Sequence, residues 1–422
     1  MATADKSKNA LTAAEPRRTI AAMRTLAVAL AFCAALGAQP ADDLDRLFLA
    51  RQWFELRSAV TDRSPSLMRA AVATAFNDPE TAERLLRDVI RSAPASNAAD
   101  EAYGMLSQIY LRSGQYRRWL TSYRQWVAAI PDSARARAEK EDEKKLAGRP
   151  DQVNGRPRRA VLRHDSGDLT LPVSVDGNTD DFLFDTGAWT SVMTERMAAR
   201  LGLKIDATRR VITGSSGQSA GFRTAIAKEV DIGGTRFRNV SFAVIEGTGP
   251  LADVDAGIVG MPILLALGVI RWSPDGAVEI GSSAPRVRAD ANLVFDRNRL
   301  LLRTRVFGRD VLTTLDTGAS TTDLNANFAN TFPQAVQGAT KGTADITGVG
   351  GTQTFDSLEI PEVIFGIGPA EVLLRPATIT LQRVGVVGGE CCVGNAGQDL
   401  LKAAGFTIDF SAMTLRLSNA TH

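Results

Sequence analysis

Two short segments of the chain repeat the same acidic turn. Both read Asp-Thr-Gly-Ala, at residues 185–188 and 316–319, and both follow a largely apolar stretch. A strand that ends in this way places a carboxylate at the tip of a tight turn, because glycine lets the backbone bend and approach a neighbour closely. Two acidic residues 131 positions apart thus have the same local setting. The repeat predicts two copies of one structural unit.

Two carboxylates that meet across such turns suit general acid–base chemistry. Within hydrogen-bonding distance they do not ionise together readily, so the pair keeps one proton over a wide pH range and titrates as a unit. One member takes a proton from water while the other gives a proton to the oxygen of an attacked amide carbonyl. The chain has two histidines, His164 and His422, and three cysteines, Cys33, Cys391 and Cys392. This composition disfavours catalytic zinc, which takes three protein ligands largely from these types, and we expect neither metal nor cofactor.

The chain beyond residue 160 has the two-residue periodicity of β-strands. Apolar and polar residues alternate from Leu169 to Val175, and turn signals recur between short apolar runs. An apolar residue followed by glycine comes downstream of each acidic turn. Val259-Gly260 ends 75 residues after Asp185, and Val393-Gly394 ends 78 residues after Asp316. The matched spacing predicts two β lobes of one design.

These residues give the chain a resemblance to the aspartic peptidases over roughly residues 160–418. It resembles the bilobal pepsin-like enzymes in having both halves on one chain, and the retropepsin-like bacterial enzymes in lobe size. The resemblance implies an all-β bilobal acid-protease fold with Asp185 and Asp316 as the catalytic dyad. It also implies that Thr186 and Thr317 form crossed hydrogen bonds between the turns, that Gly187 and Gly318 complete the turns, and that Val259-Gly260 and Val393-Gly394 pack behind them.

The resemblance further implies β-hairpin flaps over the cleft. Candidates for substrate contact lie in one glycine-rich loop of each lobe and beside each dyad member: Gly214, Ser215, Ser216 and Gly217; Gly348, Val349 and Gly350; Ala188, Trp189, Ala319 and Ser320. Neither loop contains the tyrosine of pepsin-like flaps, and two ordinary surface hairpins are the competing interpretation. Trp189 would wall an apolar specificity pocket or be buried between the lobes.

The residue after each Asp-Thr-Gly bears on the working pH. Pepsin-like enzymes usually have serine or threonine there, whereas this chain has Ala188 and Ala319, as retroviral enzymes do. Loss of a hydroxyl donor to the anion raises the pKa values of a carboxyl pair. We therefore expect activity in mildly acidic to near-neutral conditions.

The stretch from Asp42 to about Leu146 has helical spacing instead. Apolar residues recur at helical intervals between short breaks at Pro79, Pro94 and Gly114. The part from Ala71 to Pro131 resembles tetratricopeptide repeats, with irregular spacing. Such a row of hairpins either holds a protein partner in a concave groove or serves as a packing collar. The charge run Glu139–Lys145, followed by Arg149-Pro150 and Gly155-Arg156-Pro157, predicts a solvated linker.

The first forty residues resemble an export signal. Basic residues precede an apolar run over Thr25–Gly37, with small residues where an export peptidase would cut. The run is shorter than the roughly 20 residues of a membrane-spanning helix, which favours export to the periplasm or medium over a signal anchor. A true start at Met23 is the remaining alternative.

Without Cys33, the adjacent Cys391 and Cys392 are expected as two buried thiols, because neighbouring cysteines close only a strained ring.

Composition limits the other possibilities. The 422 residues carry 49 basic and 47 acidic side chains, and this balance gives no electrostatic footprint for nucleic acid. A serine hydrolase built on His164-Asp165-Ser166 is excluded, because triads are assembled across a fold.

The predicted organisation is multidomain: signal peptide 1–41, helical domain 42–148, linker 149–160, first lobe 161–285 and second lobe 286–418. The predicted function is an aspartic endopeptidase acting on peptides or proteins, with no need for dimerisation. The alternative is a catalytically inactive peptide-binding or scaffold protein that uses the same cleft.

Overall fold

The computed structural model describes residues 41–163, 169–214, 216–247, 256–281, 290–381, 391–402 and 404–418. Helices dominate the first hundred of these residues. They are α1 (Ala41–Leu49), α2 (Trp53–Ala59), α3 (Ser66–Ala75), α4 (Pro79–Ser92), α5 (Asn97–Arg112), α6 (Tyr116–Ala129), α7 (Ala134–Ala138) and α8 (Lys140–Leu146). Local signals set several starts: Asp78 accepts a hydrogen bond from the Thr81 amide, and Ser96 from the Ala99 amide. None of the helices in the described ranges is long and apolar enough to cross a membrane. The predicted signal peptide lies outside the described residues, apart from its last position.

The helices pack through apolar faces that form a core cluster of their own. Trp119 stacks on Tyr123 with ring centroids 5.0 Å apart. The indole of Trp126 donates to buried Asp100 at 2.7 Å, and Arg135 pairs with the same carboxylate at 2.8 Å. The helical region predicted from periodicity is therefore present, while its resemblance to tetratricopeptide repeats stays a prediction.

The rest of the described chain is mainly β. Its strands are β1 (Val153–Asn154), β2 (Ala160–Arg163), β3 (Thr170–Val175), β4 (Asn178–Phe184), β5 (Ser191–Thr194), β6 (Arg210–Thr213), β7 (Ser219–Ile232), β8 (Thr235–Ile245), β9 (Gly257–Val259), β10 (Val269–Trp272), β11 (Ala277–Ile280), β12 (Leu293–Asp296), β13 (Arg299–Val306), β14 (Arg309–Leu315), β15 (Asp323–Asn325), β16 (Thr340–Gly348), β17 (Gly351–Ile360), β18 (Val363–Ile367), β19 (Ala370–Leu374), β20 (Ala377–Thr380), β21 (Gly394–Ala396), β22 (Phe406–Asp409) and β23 (Thr414–Leu417). Short helices α9 (Glu195–Arg200), α10 (Met261–Leu267) and α11 (Ala326–Thr331) and the 3₁₀ turn Gln398–Leu400 interrupt them.

The strands form three sheets. The first sheet has the order β1-β8-β5-β9-β4-β3-β7-β6, and an additional β7–β8 pairing closes it into a barrel. The second sheet has the order β16-β17-β20-β15-β21-β14-β13-β18-β19, with β12 beside β13. In each of these sheets the strand that carries an acidic turn pairs in parallel with a short strand from further along the chain, β4 with β9 and β14 with β21.

The third sheet joins the two halves of the β region. Its order is β2-β11-β10-β22-β23, so three strands come from residues 160–280 and two from the C-terminal segment. Ile270 of β10 lies opposite Ile408 of β22, and both side chains are buried. This antiparallel pairing holds the two halves at a fixed position relative to each other.

The predicted linker, residues 149–160, is largely exposed but contacts the first sheet at a few positions. Arg149 and Gln152 are buried, and the side-chain amide of Gln152 donates to the Pro262 carbonyl at 2.9 Å. Val153 pairs with Arg238 at the edge of the first sheet. The stretch therefore combines exposed positions, as its polar and proline-containing composition predicts, with contacts along the edge of the first sheet.

The helical region packs directly on the β region. Phe54 and Phe76 belong to the core cluster of the sheets, and the Arg303 guanidinium lies 4.2 Å from the Phe54 ring centroid. Arg51 pairs with Asp296, which is almost fully buried. These contacts support packing against the sheets, which is one of the two roles that the sequence left open for the helical region. A groove for a protein partner stays a prediction.

Candidate active site

The two acidic turns begin where β4 and β14 end. The Asp185 amide donates to the Val259 carbonyl at 3.1 Å, and the Asp316 amide donates to the Ala396 carbonyl at 3.0 Å. Each carboxylate then folds back on its own turn. Asp185 Oδ1 accepts from the amides of Gly187 at 2.7 Å and Ala188 at 3.1 Å. The corresponding bonds of Asp316 come from Gly318 at 3.0 Å and Ala319 at 3.2 Å.

The two carboxyl groups lie side by side. The side chains of Asp185 and Asp316 hydrogen-bond to each other. A Cβ placed on Gly187 would lie 2.7 Å from Cγ of Asp316, and one on Gly318 would collide with the carboxyl of Asp185. Each glycine is therefore needed because the opposite carboxylate occupies the place of a side chain.

Crossed threonine hydrogen bonds join the two turns. The Thr186 amide donates to Oγ1 of Thr317 at 3.0 Å, and the Thr317 amide donates to Oγ1 of Thr186 at 3.1 Å. Each hydroxyl in turn donates to a carbonyl of the opposite strand at 2.7 Å, Thr186 to Leu315 and Thr317 to Phe184. Both threonines are buried. The structure thus brings together the two threonines whose crossed hydrogen bonds the resemblance implies.

Burial and charge act together on the acidic pair. Burial raises the pKa of Asp185 well above the ordinary range, and the negative charge of Asp316 raises it further. The amides of Gly187 and Ala188 oppose this by stabilising the anion. A pair in this state keeps one proton at pH values where isolated aspartates have lost theirs.

One sequence assignment in the second half is wrong. The residues that occupy the positions of Val259-Gly260 are Ala396-Gly397, three residues beyond the expected Val393-Gly394. A Cβ on Gly260 would lie 2.8 Å from the Ala188 carbonyl oxygen, and one on Gly397 3.0 Å from the Ala319 carbonyl oxygen. The similar spacings of 75 and 78 residues favoured the wrong pair, because the residues that occupy this position in the second half end 81 residues after Asp316.

Adjacent Cys391 and Cys392 also differ from expectation, since the structure joins them in a disulfide. The expectation of two thiols considered the local ring alone. The surroundings hold the backbone here: the Cys392 carbonyl accepts from the side-chain amides of Asn325 at 3.1 Å and Asn327 at 3.2 Å.

The two glycine-rich loops are hairpin tips that touch each other. Gly214, Ser216 and Gly217 lie between β6 and β7, Val349 and Gly350 form the tip between β16 and β17, and Gly348 pairs with Gly351 just below it. A Cβ on Gly214 would lie 2.9 Å from the Val349 amide nitrogen, and one on Gly350 would collide with the Gln218 carbonyl oxygen. Ser215 lies outside the described residues. The mutual contact distinguishes these loops from two independent surface hairpins.

The residues after each turn have different settings. The Ala188 carbonyl accepts from the Met261 amide, and the Ala319 carbonyl accepts from the Gln398 amide, both at 2.9 Å. Both carbonyls are therefore already hydrogen-bonded within the protein. Trp189 is half-buried and Ser320 is exposed. Contact of these residues with a substrate stays a prediction.

Sequence reasoning missed two polar residues beside Asp316. The Asn395 side-chain amide donates to Asp316 Oδ2 at 3.1 Å. Asp323 lies opposite Asn395 in the neighbouring strand, and burial and the Asp316 charge raise its pKa to about 7. Placing the apolar-glycine element at Ala396-Gly397 would have drawn attention to Asn395, the residue before it. Among the described residues, no three His, Cys, Asp or Glu side chains are grouped so as to hold a metal ion.

Residues 171–263 match the aspartyl protease family model. The resemblance to aspartic peptidases is therefore confirmed, and the match contains the first acidic turn. Among solved structures, the aspartic proteinase from Irpex lacteus is similar at 13% identity and a TM-score of 0.42, over 63% of this chain and 98% of that chain. A retropepsin-like aspartic protease from Rickettsia conorii is similar at 22% identity and a TM-score of 0.22, over 31% and 91% of the two chains. No curated protein matches the sequence.

Proposed function

We propose that this protein is an aspartic endopeptidase whose catalytic dyad is Asp185 and Asp316. The observation that carries the proposal is the hydrogen-bonded contact of these two carboxyl groups, each held by its own turn. A protein that only bound peptides would gain nothing from holding two acidic groups together in this way, because one of them must retain a proton.

The proposed reaction needs a carboxylate and a carboxylic acid. The carboxylate takes a proton from water as the water oxygen attacks the peptide carbonyl carbon, and the acid gives its proton to the carbonyl oxygen. A tetrahedral diol results. Its C–N bond then breaks as the amide nitrogen receives a proton from one aspartate while a hydroxyl of the diol returns a proton to the other. The pair thereby regains its single proton, and a free acid and a free amine are released.

The strand pairings support a bilobal arrangement within one chain. Asp185 and Asp316 follow β4 and β14, and each of these strands has a parallel neighbour that supplies the carbonyl partner of the aspartate amide. We take residues 161–285 and 286–418 as the two lobes, related by a pseudo-twofold axis near the dyad. Since one chain supplies both turns, a second copy is unnecessary for the chemistry.

The hairpin tips are proposed as two flaps that act together. Because the tip at Gly214 touches the tip at Val349, a substrate that passed beneath them would require the tips to separate. Trp189 would then wall an apolar pocket next to Asp185. We further propose that the mature protein is exported, after removal of residues 1–41, and works in mildly acidic to near-neutral conditions.

Digestion of a random-sequence peptide library, followed by mass spectrometry, tests the function. Wild-type protein should cleave internal peptide bonds, a statine-type inhibitor should block the cleavage, and Asp185→Asn should abolish it without changing the thermal melt. Asp181→Asn, an exposed change on the same strand, is the matched control and should cleave normally. Library binding without cleavage by the wild type would identify the inactive peptide-binding alternative, and continued cleavage by Asp185→Asn would exclude this dyad.

A further inference from the structure

A row of three polar residues crosses the second sheet beside Asp316. Asn395 of β21 lies opposite Thr314 of β14 on one side and Asp323 of β15 on the other. The first sheet has the same pairing around β9, where Ile258 lies between Leu183 and Val192. The two rows occupy equivalent positions relative to the two aspartates, and one is polar where the other is apolar.

Neighbouring hydrogen bonds determine the orientation of the Asn395 side chain. Thr314 Oγ1 donates to Asn395 Oδ1 at 2.5 Å, which identifies the oxygen end of the amide. The NH₂ end then faces acidic groups: Nδ2 donates to Asp316 Oδ2 at 3.1 Å, and the side chain also hydrogen-bonds to Asp323. The NH₂ end of this amide is thereby directed at the carboxyl group of Asp316.

The two aspartates therefore differ in the donors available to them. Asp316 accepts from Gly318 and Ala319 on Oδ1 and from Asn395 on Oδ2. Asp185 accepts its two turn amides on Oδ1, and the residue in the place of Asn395 is Ile258, whose side chain has no donor. A donor aimed at a carboxylate stabilises its charged form, so the extra bond favours the negative charge on Asp316.

We propose that Asn395 is a positioning residue that keeps the shared proton on Asp185 and so makes Asp316 the general base. Asp185 is then the acid that protonates the carbonyl oxygen. The assignment of Asp316 as base and Asp185 as acid rests on the proposed peptidase function. The location of the shared proton does not depend on that function. The side-chain amide of Asn395 also gives Asp316 a hydrogen-bond donor, which Ala319 cannot give because its side chain has no hydroxyl.

The titratable groups that act on this row, among the residues that the structure describes, are acidic. They are Asp185 across the dyad, Asp323 in the row itself, and Asp399, whose charge acts on Asp323. Because burial and the Asp316 charge raise the pKa of Asp323 to about 7, Asp323 is uncharged in mildly acidic conditions. In the mildly acidic part of the proposed working range, Asp323 therefore adds no negative charge beside Asp316.

Substitutions at the two equivalent positions, 395 and 258, test the proposal. Asn395→Leu should move the acid limb of the kcat/KM profile to higher pH by about one pH unit, because the anion loses a donor. The double variant Asn395→Leu with Ile258→Asn should move the limb back, since the amide now faces Asp185. Ile258→Val, which brings no donor, is the control and should leave the limb in place. An unchanged limb in Asn395→Leu would overturn the proposal.

A second measurement locates the proton without using activity. Aspartate carboxyl carbons labelled with ¹³C can be titrated by NMR, with the two signals assigned by Asp185→Asn and Asp316→Asn. In wild type, Asp316 should be ionised at pH values where Asp185 is still protonated, and in Asn395→Leu this difference should disappear or reverse. The same order of ionisation in both proteins would refute the role of Asn395. If the wild type cleaves no peptide, the titration still decides this point, so failure of the function and failure of the inference are separate results.

Discussion

Thr186 and Thr317 each donate a backbone amide hydrogen to the side-chain hydroxyl of the other. The two bonds measure 3.0 and 3.1 Å and span 131 residues of sequence. They connect the two acidic turns through groups that are buried, so no solvent replaces a lost partner. The two threonines thereby hold the two acidic turns together as one rigid unit.

Thr186→Ala should therefore destabilise the protein more than a surface change does. The variant leaves the Thr317 amide and the Leu315 carbonyl without their partner, and each unpaired buried group costs about 1–3 kcal/mol. Urea denaturation should show a loss of about 2–6 kcal/mol in the free energy of unfolding. Thr186→Ser, which keeps the hydroxyl, should recover most of this. Equal losses in the two variants would mean that the methyl group, and not the hydrogen bonds, is responsible.

Gly318→Ala should separate the two carboxyl groups. The added methyl group would collide with the carboxyl of Asp185, whose place is set by its own turn amides. We expect peptide cleavage to fall by at least about 100-fold, since small displacements of reacting groups have effects of this size. Gly247→Ala is the matched control, because a Cβ there meets no atom within 4 Å. Normal cleavage by Gly318→Ala would show that the chemistry needs no contact between the two aspartates.

Asp323→Asn should change how stability depends on pH. The pKa of Asp323 is about 7 in the folded protein, raised by burial and by the charge of Asp316, against about 4 in an unfolded chain. The folded state thus holds an extra proton between these values, so the contribution of Asp323 to stability is full below pH 4 and is lost as pH rises towards 7.

Asparagine has no proton to lose, so the variant should gain stability relative to wild type across this interval. Allowing for partial exposure, the gain between pH 4 and pH 7 should be of the order of 1–2 kcal/mol, measured by urea denaturation at each pH. Asp181→Asn, an exposed substitution, should show a constant difference from wild type over the same interval. A constant difference for Asp323→Asn as well would mean that the carboxyl is ionised throughout.

Phe54→Ala should weaken the attachment of the helices to the sheets. The ring is buried in the main core, lies edge-on to Phe76 with centroids 5.4 Å apart, and carries the Arg303 guanidinium on its face. Loss of such a ring costs about 3–5 kcal/mol. Calorimetry should show one unfolding transition in wild type and an earlier, separate helical transition in the variant. Leu49→Ala, at a side chain that is 75% exposed, is the control and should leave a single transition.

The parts of the site that the sequence predicted are those with a local signature. Both acidic turns have the same four residues and the same apolar approach, so Asp185 and Asp316 could be paired without any structure. The two glycine-rich loops were also visible, but their mutual contact was not. That contact depends on how far β7 and β16 extend from their sheets, which no local pattern encodes.

Other interpretations failed where a long-range neighbour decides the outcome. Val393-Gly394 has the expected residue types and nearly the expected spacing, yet Ala396-Gly397 packs behind the second turn, because strand register and not spacing selects the pair. Nothing in the local sequence of residues 149–160 showed that Gln152 would contact Pro262 or that Val153 would pair with Arg238.

From its sequence alone, this chain could be divided into a helical part and a β part, with two equivalent acidic turns in the latter. Periodicity and turn chemistry are properties of neighbours along the chain, and they survive without knowledge of the fold. Only the tertiary structure distinguished the two aspartates, by placing Asn395 beside one and Ile258 beside the other. Hydrogen bonds act over about 3 Å, so the difference depends on which residues of distant strands come to lie within that distance.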